Sequence, residues 1–262
     1  MSDWLHDLPV HWMALIIFGF TYLLAVLVFA GVAIISSKQR TASFKSVSAG
    51  MLPVLGTIFG LFVAFTAAQV WSDNEHATAA VSREASSLRT VILLAVGLPP
   101  EQQGRLRSLV HDYVEQAVGV EWPMMAKQAA SLRSAPPTLV EALELVVSMS
   151  TQNPGQQIAQ REIITALDAA LDARRQRIII SQSEVGAVKW WCIYLQAVCE
   201  LLAIALIHCE NRLGSAIAMG LFASSVATSA LLIAAHDRPF TGQISIAPTP
   251  LLQIMPDKEA GR

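Results

Sequence analysis

Charge is scarce in this sequence of 262 residues. Charged residues make up 15% of it and hydrophobic residues 53%, a more apolar balance than soluble domains usually have. The formal net charge is -2, so there is no basic field of the kind that recruits nucleic acid. We therefore expect a protein whose surroundings are a lipid bilayer and which does not bind nucleic acid.

Motifs for catalysis and metal binding are also lacking. The sequence has no phosphate-binding glycine loop, no nucleophile elbow, and no Cys/His set with metal-ligand spacing. His111-Asp112 and His236-Asp237 are isolated dipeptides, without the partners that an active site or a metal site requires. We expect no enzymatic activity, no catalytic residue, no metal ion and no cofactor.

Cysteine occurs only three times, at Cys192, Cys199 and Cys209. Three thiols along one helix cannot bridge one another within it, because a disulfide needs close and converging Cβ atoms. We interpret them as small apolar residues of a membrane helix.

Long apolar segments, by contrast, are abundant. A spanning helix needs roughly 20 mostly apolar residues, and four segments meet this requirement, at about residues 12–35, 47–71, 188–208 and 213–235. A signal peptide would be the alternative for the first, but its flank carries Asp3 and Asp7 instead of a positive charge. We interpret it as a retained span.

Residues 72–186 show the periodicity of ordinary soluble helices. One apolar stripe at helical spacing consists of Leu106, Leu109, Val110, Tyr113 and Val114. Helix breaks are expected at Pro99-Pro100, Trp122-Pro123, Pro136-Pro137 and Asn153-Pro154-Gly155. No breaker lies between Trp71 and Gly97, so we predict that the second span continues outward as one helix of roughly 50 residues.

The sequence thus predicts an all-α membrane protein with four transmembrane helices and a helical bundle domain inserted between the second and third. The predicted boundaries are an N-terminal tail at 1–11, helices 1 and 2 within 12–71, the extramembrane domain at 72–186, helices 3 and 4 within 187–236, and a C-terminal tail at 237–262.

Charge does not settle the orientation of this arrangement. Lys38, Arg40 and Lys45 lie in the first short loop, and by the positive-inside rule they place the domain outside. Arg83 and Arg174 flank the domain itself and favour the opposite orientation. Because long domains contribute little to this rule, the charge count on balance favours an external domain.

Glu200 lies near the middle of the third span, where a carboxylate is costly and often functional. Gln196 precedes it by one turn, and the fourth span offers Ser224, Ser225 and Thr228 as hydrogen-bond partners. Two alternatives follow: a carboxylate satisfied by these neighbours, or a member of an ion or proton path. The structural alternative is the favoured one.

The second span has a small and polar character that distinguishes it from the bulky first span. It is therefore the candidate lining of an oligomer axis, and simple packing by small residues is the alternative. The candidate lining residues are Pro53, Gly56, Thr57, Gly60, Ala64 and Gln69.

Several stretches together resemble a known family. They are the run at residues 60–71, Arg83-Glu84-Ala85 with Leu88, Tyr113, Glu121-Trp122-Pro123, and Arg174-Arg175-Gln176-Arg177. In this order they resemble the bacterial bestrophin-like membrane proteins, a family of unassigned function, over nearly the whole chain.

The resemblance implies a fold and a function. Bestrophins are pentameric anion channels with a cytoplasmic helical domain between the second and third spans, and their second helix lines the pore. For this chain the resemblance implies a homo-oligomer, a pentamer, in the bacterial inner membrane, with a cytoplasmic domain and small anions as partners. The alternative is a membrane-anchored helical scaffold or signalling module that does not conduct.

The sequence departs from the bestrophin pattern at the pore. Bestrophins narrow their pore with bulky apolar residues spaced by four on the second helix. The matching frames here are Pro53-Thr57-Leu61 and Gly56-Gly60-Ala64, and neither contains an aromatic residue. A counterpart of the acidic calcium clasp of the animal channels is also lacking.

Overall fold

The structure is a computed structural model that describes residues 8–35, 41–133, 135–150 and 153–255, without the side chains of residues 41–49. Lys38 and Arg40, on which the charge argument for orientation depends, lie outside the described residues.

The described residues form helices and no strand. The α-helices are α1 (Val10–Ile35), α2 (Thr41–Leu94), α3 (Pro100–Gln116), α4 (Trp122–Ala126), α5 (Pro137–Ser148), α6 (Pro154–Ile180), α7 (Ala187–Ile207), α8 (Arg212–His236) and α9 (Thr249–Leu252). The predicted all-α fold class is confirmed.

Four of these helices are long and apolar enough to cross a membrane: α1, α7, α8 and the part of α2 that starts at Gly50. Because α2 runs unbroken for 54 residues, the prediction of one long second helix is confirmed. Pro53 lies inside it, yet the helix continues on both sides.

The chain forms two compact units. The membrane unit contains the chain up to Ser72 together with Glu184–Arg238. The helical domain contains Asp73–Ser183 together with the chain from Pro239 onward. Helix α2 contributes its first part to the membrane unit and its second part to the helical domain.

Apolar side chains of α1, α7 and α8 form the core of the membrane unit, with Ile17, Ile193 and Val226 among its buried members. The turn between α7 and α8 is short, and the Asn211 side chain caps α8 by accepting a hydrogen bond from the Gly214 N–H at 3.0 Å. This cap fixes the start of α8 directly after α7, as expected for an antiparallel hairpin.

Hydrogen bonds join the segment before α7 to the segment after α8. Asp237, after α8, accepts a hydrogen bond from the Val185 N–H at 2.5 Å. Arg238 donates to Glu184 at 2.7 Å. The segment that enters α7 is thereby held against the segment that leaves α8.

The core of the helical domain collects the apolar stripes of α2, α3, α5 and α6, represented by Leu88, Val110, Leu139 and Leu167. All five residues of the predicted stripe on α3 are buried. Burial of such stripes provides the main stabilisation of a helical bundle.

The segment after α8 also belongs to this core, although the sequence predicts only a C-terminal tail there. Phe240 and Leu251 are buried among the domain residues. The Trp122 ring meets Phe240 edge to face at 5.5 Å between centroids, and its Nε1–H donates to the Ile246 carbonyl at 3.2 Å. Helix α9 is therefore part of the domain.

The helix break predicted at Trp122-Pro123 is wrong. Residues Ala117–Glu121 form a π-helical turn, and the Trp122 N–H donates to the Ala117 carbonyl five residues earlier. Pro123 has no N–H, and its ring clashes with the carbonyl four residues back in a regular α-helix. The wider turn accommodates the proline and the helical chain continues to Ala126.

Candidate functional site

One side of α2 is buried in the membrane unit. Phe59, Thr66 and Val70 are covered by their own chain, and the Thr66 hydroxyl donates to the Phe62 carbonyl at 2.8 Å. Phe62, Val63 and Ala67 beside them are partly buried against the same core, and the opposite side of this part of the helix is exposed.

A stripe of small residues follows one exposed side of α2. It consists of Pro53, Thr57, Gly60 and Ala64, all of which are exposed. Their spacing of four, three and four residues keeps them within about 60° around the helix axis. The Thr57 hydroxyl donates to the Pro53 carbonyl at 2.8 Å, which leaves an oxygen lone pair at the surface of the stripe.

A second exposed stripe of α2 is bulky and apolar. It consists of Val54, Ile58, Leu61 and Phe65, each at least 50% exposed. It lies about a third of a turn from the small stripe. The exposed surface of α2 thus has a small, partly polar side and a bulky apolar side, and Leu61 of the first pore frame belongs to the bulky one.

The structure places four of the six candidate lining residues on the small stripe and two elsewhere. Gly56 is only half-buried and is turned toward Glu200 of α7. Gln69 lies near the bulky side, where its Oε1 accepts a hydrogen bond from the Lys189 ammonium.

Glu200 is a buried acid within a membrane-spanning helix of the membrane unit, with 4% of its surface exposed. Its Oε1 lies 3.1 Å from the position that a Cβ atom would occupy at Gly56. A side chain at position 56 would therefore crowd the carboxylate. The glycine gives the acid its space against α2.

The hydrogen bonds expected for Glu200 are not formed at Oε2, so the expectation of a satisfied carboxylate is wrong for that oxygen. Among the described residues it is buried without a hydrogen-bond partner. Ser224 instead donates to the Gly220 carbonyl at 2.7 Å, and Thr228 to the Ser224 carbonyl at 2.8 Å. Ser225 and Thr228 are exposed on the outer side of α8.

Gln196 also has a buried oxygen that lacks a donor. Its Oε1 is buried and has no hydrogen-bond partner among the described residues. Burying a carboxylate or an amide oxygen without a partner costs roughly 2–7 kcal/mol for a neutral group and more for a charged one. Two such oxygens lie one turn apart on α7, and a hydrogen-bond donor or another ligand at this position would remove the cost of burying them.

A second buried polar cluster lies in the helical domain and contains two acids and two bases. Arg177 is fully buried and donates from Nε to Glu84 Oε2 at 2.7 Å and from Nη2 to Glu84 Oε1 at 3.0 Å. The same Nη2 donates to Glu121 Oε2 at 3.0 Å. Arg174 donates to Glu121 Oε1 at 2.8 and 2.6 Å. Two carboxylates thus meet two guanidinium groups.

Tyr113 and Trp122 complete this ion-pair cluster. The Tyr113 hydroxyl donates to Glu84, and the Arg177 guanidinium lies over the Trp122 ring at 5.0 Å from its centroid. Burial raises the pKa of Tyr113 well above its usual range, and the Glu84 charge raises it further. The phenol therefore stays protonated and remains a donor.

The charge of Arg177 is stabilised by its partners. Burial is the largest single influence and lowers the pKa of the guanidinium, but Glu84, Tyr113 and Glu121 together outweigh it and leave the pKa of Arg177 raised. The cluster joins the second part of α2, α3, the π-helical turn and α6. Its geometry suits a structural cross-link, since each acid is already occupied by a base.

The cluster also explains the residues on which the resemblance rests. Five of these residues belong to separate sequence motifs: Glu84, Tyr113, Glu121, Arg174 and Arg177. The structure brings them into contact across up to 93 residues. The spacing of Arg174 and Arg177, one turn apart on a helix with apolar neighbours, was the signal for a shared buried face.

Among the described residues, no group of His, Cys, Asp or Glu could hold a metal ion.

Comparison with known proteins extends over nearly the whole chain. The family model described as Bestrophin-like domain matches residues 19–251. A bacterial bestrophin homolog from Klebsiella pneumoniae superposes with a TM-score of 0.67 at 15% identity, covering 90% of this chain and 95% of the other. No curated protein matches the sequence.

Related crystal structures give the same result. A single-residue variant of the Klebsiella pneumoniae homolog has a TM-score of 0.68 at 14% identity, and a structure described only as a membrane protein has 0.66 at 17%; each covers 90% of this chain and 95% of its own. At these identities the likeness shows a shared fold. The match of the family model to residues 19–251 shows the family, and the chain belongs to the bestrophin-like family.

Proposed function

We propose that this chain is the subunit of a homo-oligomeric channel for small anions, with the small stripe of α2 lining the axis. The proposal includes a pentamer in the bacterial inner membrane with the helical domain in the cytoplasm, as the family relationship supports. Pro53, Thr57, Gly60 and Ala64 are the proposed lining residues.

The observation that carries the proposal is the lack of cover on α2 within its own chain. Only 11% of its most apolar stretch is buried, against 22% for α1, 44% for α7 and 33% for α8. A membrane helix so little covered by its own chain is available for contacts with other copies. In an oligomer, neighbouring subunits would supply the missing contacts.

The two exposed stripes of α2 suit different surroundings. The bulky stripe around Ile58 and Phe65 fits packing against apolar surfaces, as in lipid or in a neighbouring subunit. The small stripe brings the backbone and the Thr57 hydroxyl close to whatever lies opposite. Small side chains around an axis leave room for an ion, and the Thr57 hydroxyl would contact an anion there by turning its hydrogen away from the Pro53 carbonyl.

Ion flux in liposomes containing the purified protein tests this proposal. We expect chloride flux from the wild type and at least a tenfold loss with Gly60→Trp, because an indole on the small stripe would block the axis. The matched control is Leu221→Trp, an exposed apolar position of α8, which should conduct like the wild type.

Assembly must be measured alongside flux. If Gly60→Trp assembles and conducts fully, the small stripe does not line the path. If the wild type reconstitutes well but passes none of several ions over a range of pH, the chain is better described as a non-conducting scaffold or signalling module.

A further inference from the structure

Two oxygens of α7 lie buried in the membrane unit without a donor. They are Glu200 Oε2 and Gln196 Oε1, and neither has a hydrogen-bond partner among the described residues. Side chains four residues apart on a helix are neighbours on the same face. With the Gln196 amide oriented in this way, both atoms are acceptors, and what the two oxygens lack is a hydrogen.

We propose that Glu200 and Gln196 form a proton-binding site inside the membrane, in which protonated Glu200 donates a hydrogen bond to Gln196. One proton bound by the Glu200 carboxylate converts it to a neutral carboxylic acid. Its new O–H is the donor that Gln196 Oε1 lacks. A single added hydrogen therefore satisfies both buried groups.

The surrounding helices offer no charge that could stabilise an ionised Glu200. Helix α1 carries no Asp, Glu, Lys or Arg, and α2 carries none from residue 46 to residue 72. On α8 the one such residue is Arg212, the first of the helix. On α7 it is Lys189, about three turns away, and its ammonium binds Gln69.

The other titratable side chains near this face are engaged, exposed or distant. The Tyr22 hydroxyl of α1 shares a hydrogen bond with Ser224 at 2.7 Å. Cys199 of α7 is exposed, and Tyr194 lies six residues before Glu200. An ionised carboxylate in this place would have no counter-charge, whereas a protonated one needs none.

A bound cation fits the site less well than a proton. A hard cation takes about six oxygen ligands. Among the described residues, Gln196 is the one further side chain at this face whose buried oxygen has no hydrogen-bond partner. The described residues contain no group of acids, histidines and cysteines able to hold a metal. The proton is therefore the ligand that the site accommodates.

Gly56 brings this site into contact with α2. Glu200 Oε1 lies 3.1 Å from the place of a Cβ at Gly56, whereas a Cβ at Gly60 would meet no atom within 4 Å. Loss of the proton would leave a negative charge against α2 at Gly56. If α2 lines the axis, a step that rests on the proposed function, this charge would make flux depend on pH.

Infrared spectroscopy of the reconstituted protein tests the site without any flux. The C=O stretching band of a protonated carboxylic acid should be present at neutral pH and disappear in Glu200→Gln. The matched control Glu210→Gln alters an exposed acid and should retain the band. Gln196→Leu should move the band to higher frequency, because the acid loses its acceptor.

The two glycines provide a second matched pair. Gly56→Ala should shift the band, since the methyl group crowds Oε1, and Gly60→Ala should leave it unchanged. If no band is lost in Glu200→Gln, Glu200 is ionised and the proposal is wrong. An unchanged frequency in Gln196→Leu would exclude the shared hydrogen bond. A pH titration of the wild-type band needs no variant, and its disappearance at alkaline pH would support the site.

Flux separates this proposal from the channel proposal. A pH-dependent wild-type flux that becomes independent of pH in Glu200→Gln supports the coupling to α2, and an unchanged pH profile overturns it. If the infrared band is present in a protein that passes no ions, the result would support the proton-binding site and contradict the channel proposal.

Discussion

Arg177 illustrates what a single residue contributes to the helical domain. Its guanidinium is fully buried and binds both carboxylates of the ion-pair cluster while lying over an indole ring. A planar guanidinium can donate to two carboxylates at once, which an ammonium on a flexible stem does less well. Burial of such a group is tolerated only because its positive charge is matched by carboxylates.

Removing this guanidinium should therefore be costly. We expect Arg177→Met to lower the free energy of unfolding by about 3–5 kcal/mol, because it leaves Glu84 buried and uncompensated. The control is Arg105→Met, which removes the partly exposed pair with Glu141 and should cost less than about 1 kcal/mol. Denaturant unfolding of both variants in detergent measures the difference.

Equal losses in the two variants would contradict this assignment. The double variant Glu84→Leu with Arg177→Met provides a further check, since replacing a buried pair by apolar groups is often nearly neutral. It should recover part of the stability lost by Arg177→Met alone.

Single residues were harder to predict from the sequence than their motifs suggest. Arg174 is one of the residues that carry the family resemblance, and it is buried. Its contact with Glu121, 53 residues away, depends on tertiary packing that no local pattern encodes. For Glu200, the short turn between the third and fourth spans predicts that the hydroxyls of α8 lie close to the carboxylate. In the structure, Ser224 and Thr228 instead donate to backbone carbonyls of their own helix, as such hydroxyls commonly do.

At the scale of elements, the shortest of the described α-helices has a clear role. Helix α9 has four residues, and its two leucines differ sharply in burial. Leu251 is fully buried in the domain core, while Leu252 is 47% exposed. Adjacent residues of the same type thus test whether this segment stabilises the domain.

We expect Leu251→Ala to lower the free energy of unfolding by about 2–5 kcal/mol, the usual cost of truncating a buried leucine. Leu252→Ala should change it by no more than about 0.5 kcal/mol. Thermal unfolding of the purified protein distinguishes them. Similar small effects would mean that the segment after α8 does not form part of the core.

Elements with long periodic patterns were predictable and irregular ones were not. The four spans follow from hydropathy alone, because no short polar interruption divides them. The π-helical turn before Pro123 was missed, since proline usually signals a break and the wider turn has no distinct sequence pattern. Helix α9 was missed because four residues are too few to show a period.

At the scale of the whole molecule, four spans place both ends of the chain on one side of the membrane. With the helical domain between the second and third spans, that side is also the domain's. We predict that cysteines at Ser2, Ser134 and Lys258, which lie outside the described residues, react from the same side with a membrane-impermeant reagent. The native cysteines must first be replaced.

Labelling in intact and in permeabilised cells measures this topology. Reaction of all three sites only after permeabilisation is expected for a cytoplasmic domain, and reaction of all three in intact cells would place the domain outside. Reaction of Ser134→Cys from the side opposite to Ser2→Cys would contradict the four-span topology itself.

The place of Phe240 and Leu251 in the domain core also has a consequence for biosynthesis. Both residues follow α8 in the chain, so the ribosome delivers them only after all four membrane helices have been made. Until then, the surface of Trp122 that Phe240 covers stays open in the nascent protein. Synthesis of α7 and α8 must therefore precede completion of the domain, and a nascent chain stalled at His236 should expose an apolar surface that chaperones can bind.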